Sequence, residues 1–220
     1  MRRGDTTRTS VVALVIAVVA VTSAACGSGD DAAPGSGGHM GSTMPRMSAT
    51  PSAAASITPG PPASGPHNQA DVDFATGMIP HHGQAIQMAD MVLAMTGNPE
   101  VEALAERIKA AQAPEIATMS GWLQGWQVAV PDPFTNPAGG MHGEHMMSAG
   151  DMAELAGAAG PTVDRMFLTM MPEHHEGAIE MARLELSAGA NPAAKALAQK
   201  IIGDQTAEIA EMKSMLDNLG

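Results

Sequence analysis

Tyrosine is absent from this 220-residue chain, and there are only three phenylalanines and two tryptophans. A sheet protein draws on aromatic and β-branched residues, so β architecture is disfavoured. Abundant alanine and methionine favour helix instead. One cysteine excludes an internal disulfide. Basic residues are scarce, 11 Lys and Arg against 23 Asp and Glu, for a formal charge of −12. Such a charge argues against nucleic acid, whose phosphates want a basic face. Several enzyme signatures are missing too. No Glu-x-x-His supplies the usual di-iron carboxylate site of helix bundles. His175-Glu176-Gly177-Ala178-Ile179 lacks the second histidine of a zincin motif, and there is no phosphate loop or serine elbow.

The apolar runs are short as well. Arg2, Arg3 and Arg8 precede an uncharged stretch from Ser10 to Ala25, whose apolar centre is Val11–Val21. That is brief for a spanning helix and suits a signal peptide over residues 1–25. It ends Ser23-Ala24-Ala25-Cys26-Gly27, which resembles a bacterial lipobox, although Ser23 stands where an aliphatic residue is usual. Cys26 is therefore expected to carry lipid. Residues 26–68 are rich in Gly, Ser, Pro and Ala, the composition of a disordered tether. About 42 such residues reach roughly 35 Å. The expected location is the extracytoplasmic face of the cell membrane, held by lipid alone.

An internal repeat occupies the rest, residues 69–220. Sliding the chain by 93 positions aligns 71–123 with 164–216 without a gap, and about two positions in five are identical. In each repeat the apolar residues recur at helical spacing. Phe74, Met78, His81, Ala85, Met88, Val92 and Met95 form one stripe, and Leu104, Ile108, Gln112, Glu115 and Met119 a second. Asn98-Pro99 and Asn191-Pro192 supply a cap residue and a first-turn proline between the helices. One amphipathic hairpin cannot bury its own face, but two can bury each other's. The expected fold is all-α, a four-helix bundle of two repeated αα-hairpins with pseudo-two-fold symmetry. Helices are expected near 71–96, 99–125, 161–188 and 192–218, with a short one near 149–158. Pro80 and Pro172 fall inside the pattern, so a kink or bulge is expected before each histidine pair, and Pro114 should bend the second helix.

The stretch MIPHHGQAIQMA at 78–89 and its counterpart MPEHHEGAIEMA at 171–182 place histidines on faces that must be buried. Methionine fills irregular cores and a lone core histidine is ordinary. Yet His81, Gln112, Glu115, His174, Gln205 and Glu208 together need partners, at about 1–3 kcal/mol for each unpaired group. Metal would supply some. Met78 lies three residues before His81, within one helical turn, and Met171 stands likewise before His174. Imidazole suits copper and thioether selects Cu(I). The candidate ligands are His81, His82, His174, His175, Met78 and Met171. Glu115, Glu208, Met88 and Met181 are candidates for support or ligation. The connector, 124–163, holds a second cluster, Met141, His142, His145, Met146 and Met147, that lacks apolar periodicity and is not explained by core packing.

The segments FATGMIPHHGQAIQMA and FLTMMPEHHEGAIEMA resemble the hallmark of a family of secreted or lipid-anchored bacterial proteins, the domain of unknown function 305. The resemblance spans about residues 69–220 and implies a ferritin-like bundle. It also implies copper binding or resistance through Met78, His81, His82, Met171, His174 and His175. Met171-Pro172-Glu173-His174 departs from the usual Met-Ile-Pro-His, which would put a carboxylate beside the second pair or shift its kink. Copper binding or buffering without enzymatic activity is the leading expectation. A ferritin-like metal-dependent oxidoreductase, a metal-free structural or partner-binding bundle, and a bis-histidine haem protein are the alternatives. The ion and any protein partner are not legible in the sequence.

Overall fold

A computed structural model of the protein describes residues 65–135 and 145–219. The targeting segment, Cys26, the tether up to residue 64, and Met141 and His142 of the connector lie outside the described residues. Among the described residues there are five helices and no strand. These are α1 (Gln69–Met95), α2 (Pro99–Gly125), α3 (Ala149–Gly157), α4 (Pro161–Ala188) and α5 (Pro192–Asn218). The four long helices form the expected pair of hairpins, α1–α2 and α4–α5, which meet through α1 and α4. Short α3 rests on both of those helices and buries Leu155.

Local chemistry sets the helix ends. Asn98 and Asn191 accept hydrogen bonds from the first free N–H groups of α2 and α5, and Pro99 and Pro192 begin those helices. Helix α1 starts two residues earlier than the apolar stripe implied. Asn68 and Asp71 form a reciprocal capping box that draws the chain into helix before the first buried side chain. Met95, placed by spacing on the core stripe, is 46 % exposed because the helix stops there and the chain turns away. Gly160 precedes α4 at φ 56°, where glycine carries no steric penalty, and donates its N–H to Met95 O at 3.0 Å.

The expected kink or bulge does not break the helices. Both α1 and α4 continue as α-helix through Pro80 and Pro172, and α2 does so through Pro114. Proline in a helix interior costs about 3 kcal/mol. Pro80 and Pro172 are both buried within long apolar faces, and tertiary packing of that kind outweighs one lost backbone bond.

Two aspartates join the hairpins at opposite corners. Asp71, at the start of α1, accepts from Asn191 N at 2.8 Å and Ala190 N at 3.1 Å in the other hairpin's turn. Its repeat equivalent Asp164, at the start of α4, accepts from Thr96 Oγ1 at 2.5 Å. The loop after α2 crosses α1 at Gly83, where an added Cβ would collide with the backbone of Pro133. Gly83→Ala should therefore displace that loop and lower stability by about 1–3 kcal/mol, measured as a fall in Tm. An unchanged Tm would mean the loop does not contribute to the fold.

Candidate metal centre

The buried core divides into two apolar clusters. One contains Ala85, Met88, Val92, Val101, Leu104, Phe167 and Met171. The other contains Phe74, Met78, Met119, Trp122, Ala178, Met181 and Ile201. Start-of-α1 residues thus share a cluster with end-of-α4 residues, so the two central helices run in opposite directions. Between the clusters lies a polar layer of His81, His82, Gln112, Glu115, His174, His175 and Gln205, all buried, with Glu208 at its edge. Met78 and Met171 bound the layer from opposite sides, each one turn before a histidine and each fully buried.

His81 and His174 are repeat equivalents, and their rings are 3.8 Å apart between centroids, tilted by 37°. They therefore meet at the pseudo-two-fold axis. Neither ring has a hydrogen-bond partner on either nitrogen within the protein. Burial first, and then repulsion from His174, His82, His175 and His145, holds the His81 pKa well below its ordinary value. Burial and then His175, His82 and His145 do the same for His174. Both rings are neutral at pH 7, and each offers a lone pair in a dry interior.

The flanking histidines are oriented by carboxylates. His82 Nε2 donates to Glu115 Oε2 at 2.8 Å, and His175 Nε2 donates to Glu208 Oε2 at 2.8 Å. Burial raises the Glu115 pKa, but the hydrogen bond from His82, then the hydrogen bond and charge of Lys200, outweigh it and leave the pKa lowered. Lys200 Nζ donates to Glu115 Oε1 at 3.0 Å. A carboxylate only accepts, so a neutral imidazole bonded to it carries its proton on Nε2 and keeps its lone pair on Nδ1. Both Nδ1 atoms are buried and unpartnered. Carboxylates that fix the tautomer of a histidine ligand in this way are the common outer partners of metal sites. The orphaned nitrogens and flanking thioethers fit a soft or borderline ion. Among the described residues, no three His, Cys, Asp or Glu side chains form a ready-made metal cage.

Other residues singled out by the sequence are placed apart. Met88 and Met181 pack in opposite apolar clusters. Glu173 is exposed and does not join the layer. Within the connector cluster, Met147 is a core residue, contrary to the expectation from its lack of periodicity. The Gln84 side chain donates to Met147 O at 2.9 Å and accepts from Met147 N at 2.7 Å, which seats it against the bundle. Met146 lines a cavity of about 540 Å³ with Pro80, Met91, Phe134 and Met152. His145 alone of the three reaches the histidines. It lies over Gly177, where an added Cβ would clash with His145 and sit 3.1 Å from His81 Nε2. Its Nε2 donates to Glu180 Oε2 at 3.1 Å. Sequence spacing could not reveal this approach, because the connector has no helical register with α4.

Relatives carry the same architecture. CopM in its Cu(II)-bound form superposes with a TM-score of 0.59 at 35 % identity, over 68 % of this chain and 97 % of CopM. Its Cu(I)-bound form gives 0.55 at 34 % identity, over 67 % and 96 %. A DUF305 protein from Streptomyces coelicolor gives 0.62 at 31 % identity, over 69 % and 92 %. No curated protein matches the chain. The family model described as Domain of unknown function (DUF305) matches residues 71–216, and with its repeated histidine pairs and paired hairpins the chain belongs to the DUF305 family.

Proposed function

We propose that this protein binds copper ions outside the cytoplasm and holds or buffers them there. The observation that carries this reading is the buried layer of unpartnered imidazole nitrogens at the junction of the repeats. An apolar core leaves such groups unsatisfied at about 1–3 kcal/mol each, a penalty that coordination would remove. Relatives captured with Cu(II), Cu(I) and silver add support. His81 and His174 would be the central ligands, with Nδ1 of His82 and His175 beside them and Met78 and Met171 offering sulfur. Glu115 and Glu208 orient the outer rings. Lipid on Cys26 would hold the bundle at the membrane surface. No described helix is long and apolar enough to cross a membrane, and the Streptomyces coelicolor relative is named as a candidate secreted protein.

Tag-free protein equilibrated with copper, zinc and iron, then freed of excess ion, should retain copper in preference. Retention of none would leave a metal-free bundle, and retention of iron alone would favour a redox enzyme. Replacing Met78 and Met171 with leucine conserves volume and should cost less than about 1.5 kcal/mol of stability each. Cu(I) affinity should fall while Cu(II) affinity persists, read by competition with a chelator of each ion. Unchanged Cu(I) affinity would remove the thioethers from the site.

A further inference from the structure

Copper must reach ring nitrogens that are buried from every side. His81 is 2 % exposed and His174 1 %. Both apolar clusters close the layer along the bundle axis. At Gly177 the layer is covered by the side chain of His145 and not by one of the apolar clusters. The glycine is buried, yet the volume a side chain would fill is shared by two imidazoles. An added Cβ would overlap His145, lying 3.0 Å from His145 Cγ, and would stand 3.1 Å from His81 Nε2. The connector histidine and an unpartnered nitrogen of the central pair thus border the same small space over Gly177.

The repeat shows that this close approach is particular to one half. The position equivalent to Gly177 is Gln84, 93 residues earlier. Gln84 is 4 % exposed and its amide is tied to Met147 N and Met147 O. One of two equivalent positions therefore carries a bonded side chain, while the other carries none and is covered by a histidine. His145 also has the properties of an outer ligand. Its side chain is 34 % exposed, and Glu180 holds its Nε2. In the neutral ring that bond leaves Nδ1 with the lone pair. Glu180, at 60 % exposure, sets an anionic group beside it at the surface.

We propose that Gly177 is the passage by which copper ions reach the His81–His174 pair, and that His145 is the ligand that receives them at its outer end. The inference rests on the copper reading above and concerns how the ion arrives rather than how tightly it is kept. An ion handed from His145 to His81 moves between two imidazoles without crossing an apolar layer. Methionine-bounded ends offer no such route, because each is packed in hydrocarbon.

Stopped-flow mixing of the tag-free protein with Cu(II), followed by quenching of Trp122 and Trp126 fluorescence, tests the proposal, with bound copper counted at equilibrium. Gly177→Ala should slow loading at least tenfold and leave the final stoichiometry unchanged. His145→Gln should slow loading several-fold. Because the alanine methyl also pushes on His145, the pair Gly177→Ala with His145→Gly separates two causes. It removes that clash but keeps a methyl over His81 Nε2, so loading should stay slow. Recovery of the wild-type rate in the pair would overturn the passage and leave only a displaced connector. Wild-type rates in Gly177→Ala and His145→Gln, at full stoichiometry, would overturn the proposal while leaving the copper site standing. A wild-type protein that takes up no copper would overturn both.

Discussion

Changing His81, His82, His174 and His175 together to glutamine should lower copper affinity at least tenfold while the four long helices persist. Tenfold is about 1.4 kcal/mol, a modest demand for the loss of up to four imidazole lone pairs. Glutamine is the informative replacement because it preserves polarity and approximate size. At positions 82 and 175 an amide N–H can still donate to Glu115 and Glu208, whose bonds to the histidines are 2.8 Å long. At positions 81 and 174 two facing amides can pair with each other where two rings now meet at 3.8 Å. The unpaired imidazole nitrogens would be gone, along with the ligand that copper prefers to an amide. Chelator competition reads the affinity, and circular dichroism reads the helices. The opposite pattern, a shifted Tm with copper affinity intact, would make the histidines packing groups and direct attention to the connector.

The same residues show how far the sequence could be read. The repeat and its stripes located the four long helices because each stripe has one period and each turn has its own Asn-Pro signal. The burial of His81, Gln112, Glu115, His174 and Gln205 followed from their places on those stripes, whereas Glu208, the equivalent of Glu115, is only part-buried. Spacing did not show that His81 and His174 touch. That depends on where the symmetry axis crosses α1 and α4, which is a property of how two hairpins pack and not of either one. The path of the connector was beyond reach for a different reason. Residues 145–148 have no period, and their position is set by single bonds such as that of Gln84 to Met147. A signal did exist at Gly177, since a glycine stands where the other repeat has a glutamine. Departures from an internal repeat mark where the halves do different things.

Glu185 is another such departure, standing where the first repeat has Val92. It is 1 % exposed, and both its oxygens lack a hydrogen-bond partner of good geometry. Its side chain fills the space over Gly189, where an added Cβ would collide with it. Asp71 is its charged neighbour. Burial raises the Asp71 pKa, but the N–H groups of Asn68, Asn191 and Ala190 outweigh burial and leave it lowered, so Asp71 holds the negative charge. Glu185 takes the consequence. Burial first, then the neighbouring carboxylate of Asp71, push its pKa up to about 8, against a smaller opposing pull from Lys195.

A carboxyl whose pKa is higher folded than unfolded binds its proton more tightly in the native state. Its contribution to stability is therefore complete below the ordinary value of 4.5 and is lost as pH rises toward 8. The slope cannot exceed roughly 1.4 kcal/mol per pH unit for one group, and partial solvation will reduce it. Glu185→Gln has no such proton to lose. Measured without metal, in the presence of chelator, the variant and wild type should be within about 1 kcal/mol of each other at pH 5. By pH 8.5 the variant should be the more stable by roughly 2 kcal/mol, a Tm difference of several degrees. Taking the difference between the two proteins at each pH cancels the other titrating groups, including the histidine layer. Parallel stability curves from pH 5 to 8.5 would show that Glu185 ionises as freely in the fold as in water, and that its place over Gly189 is wet.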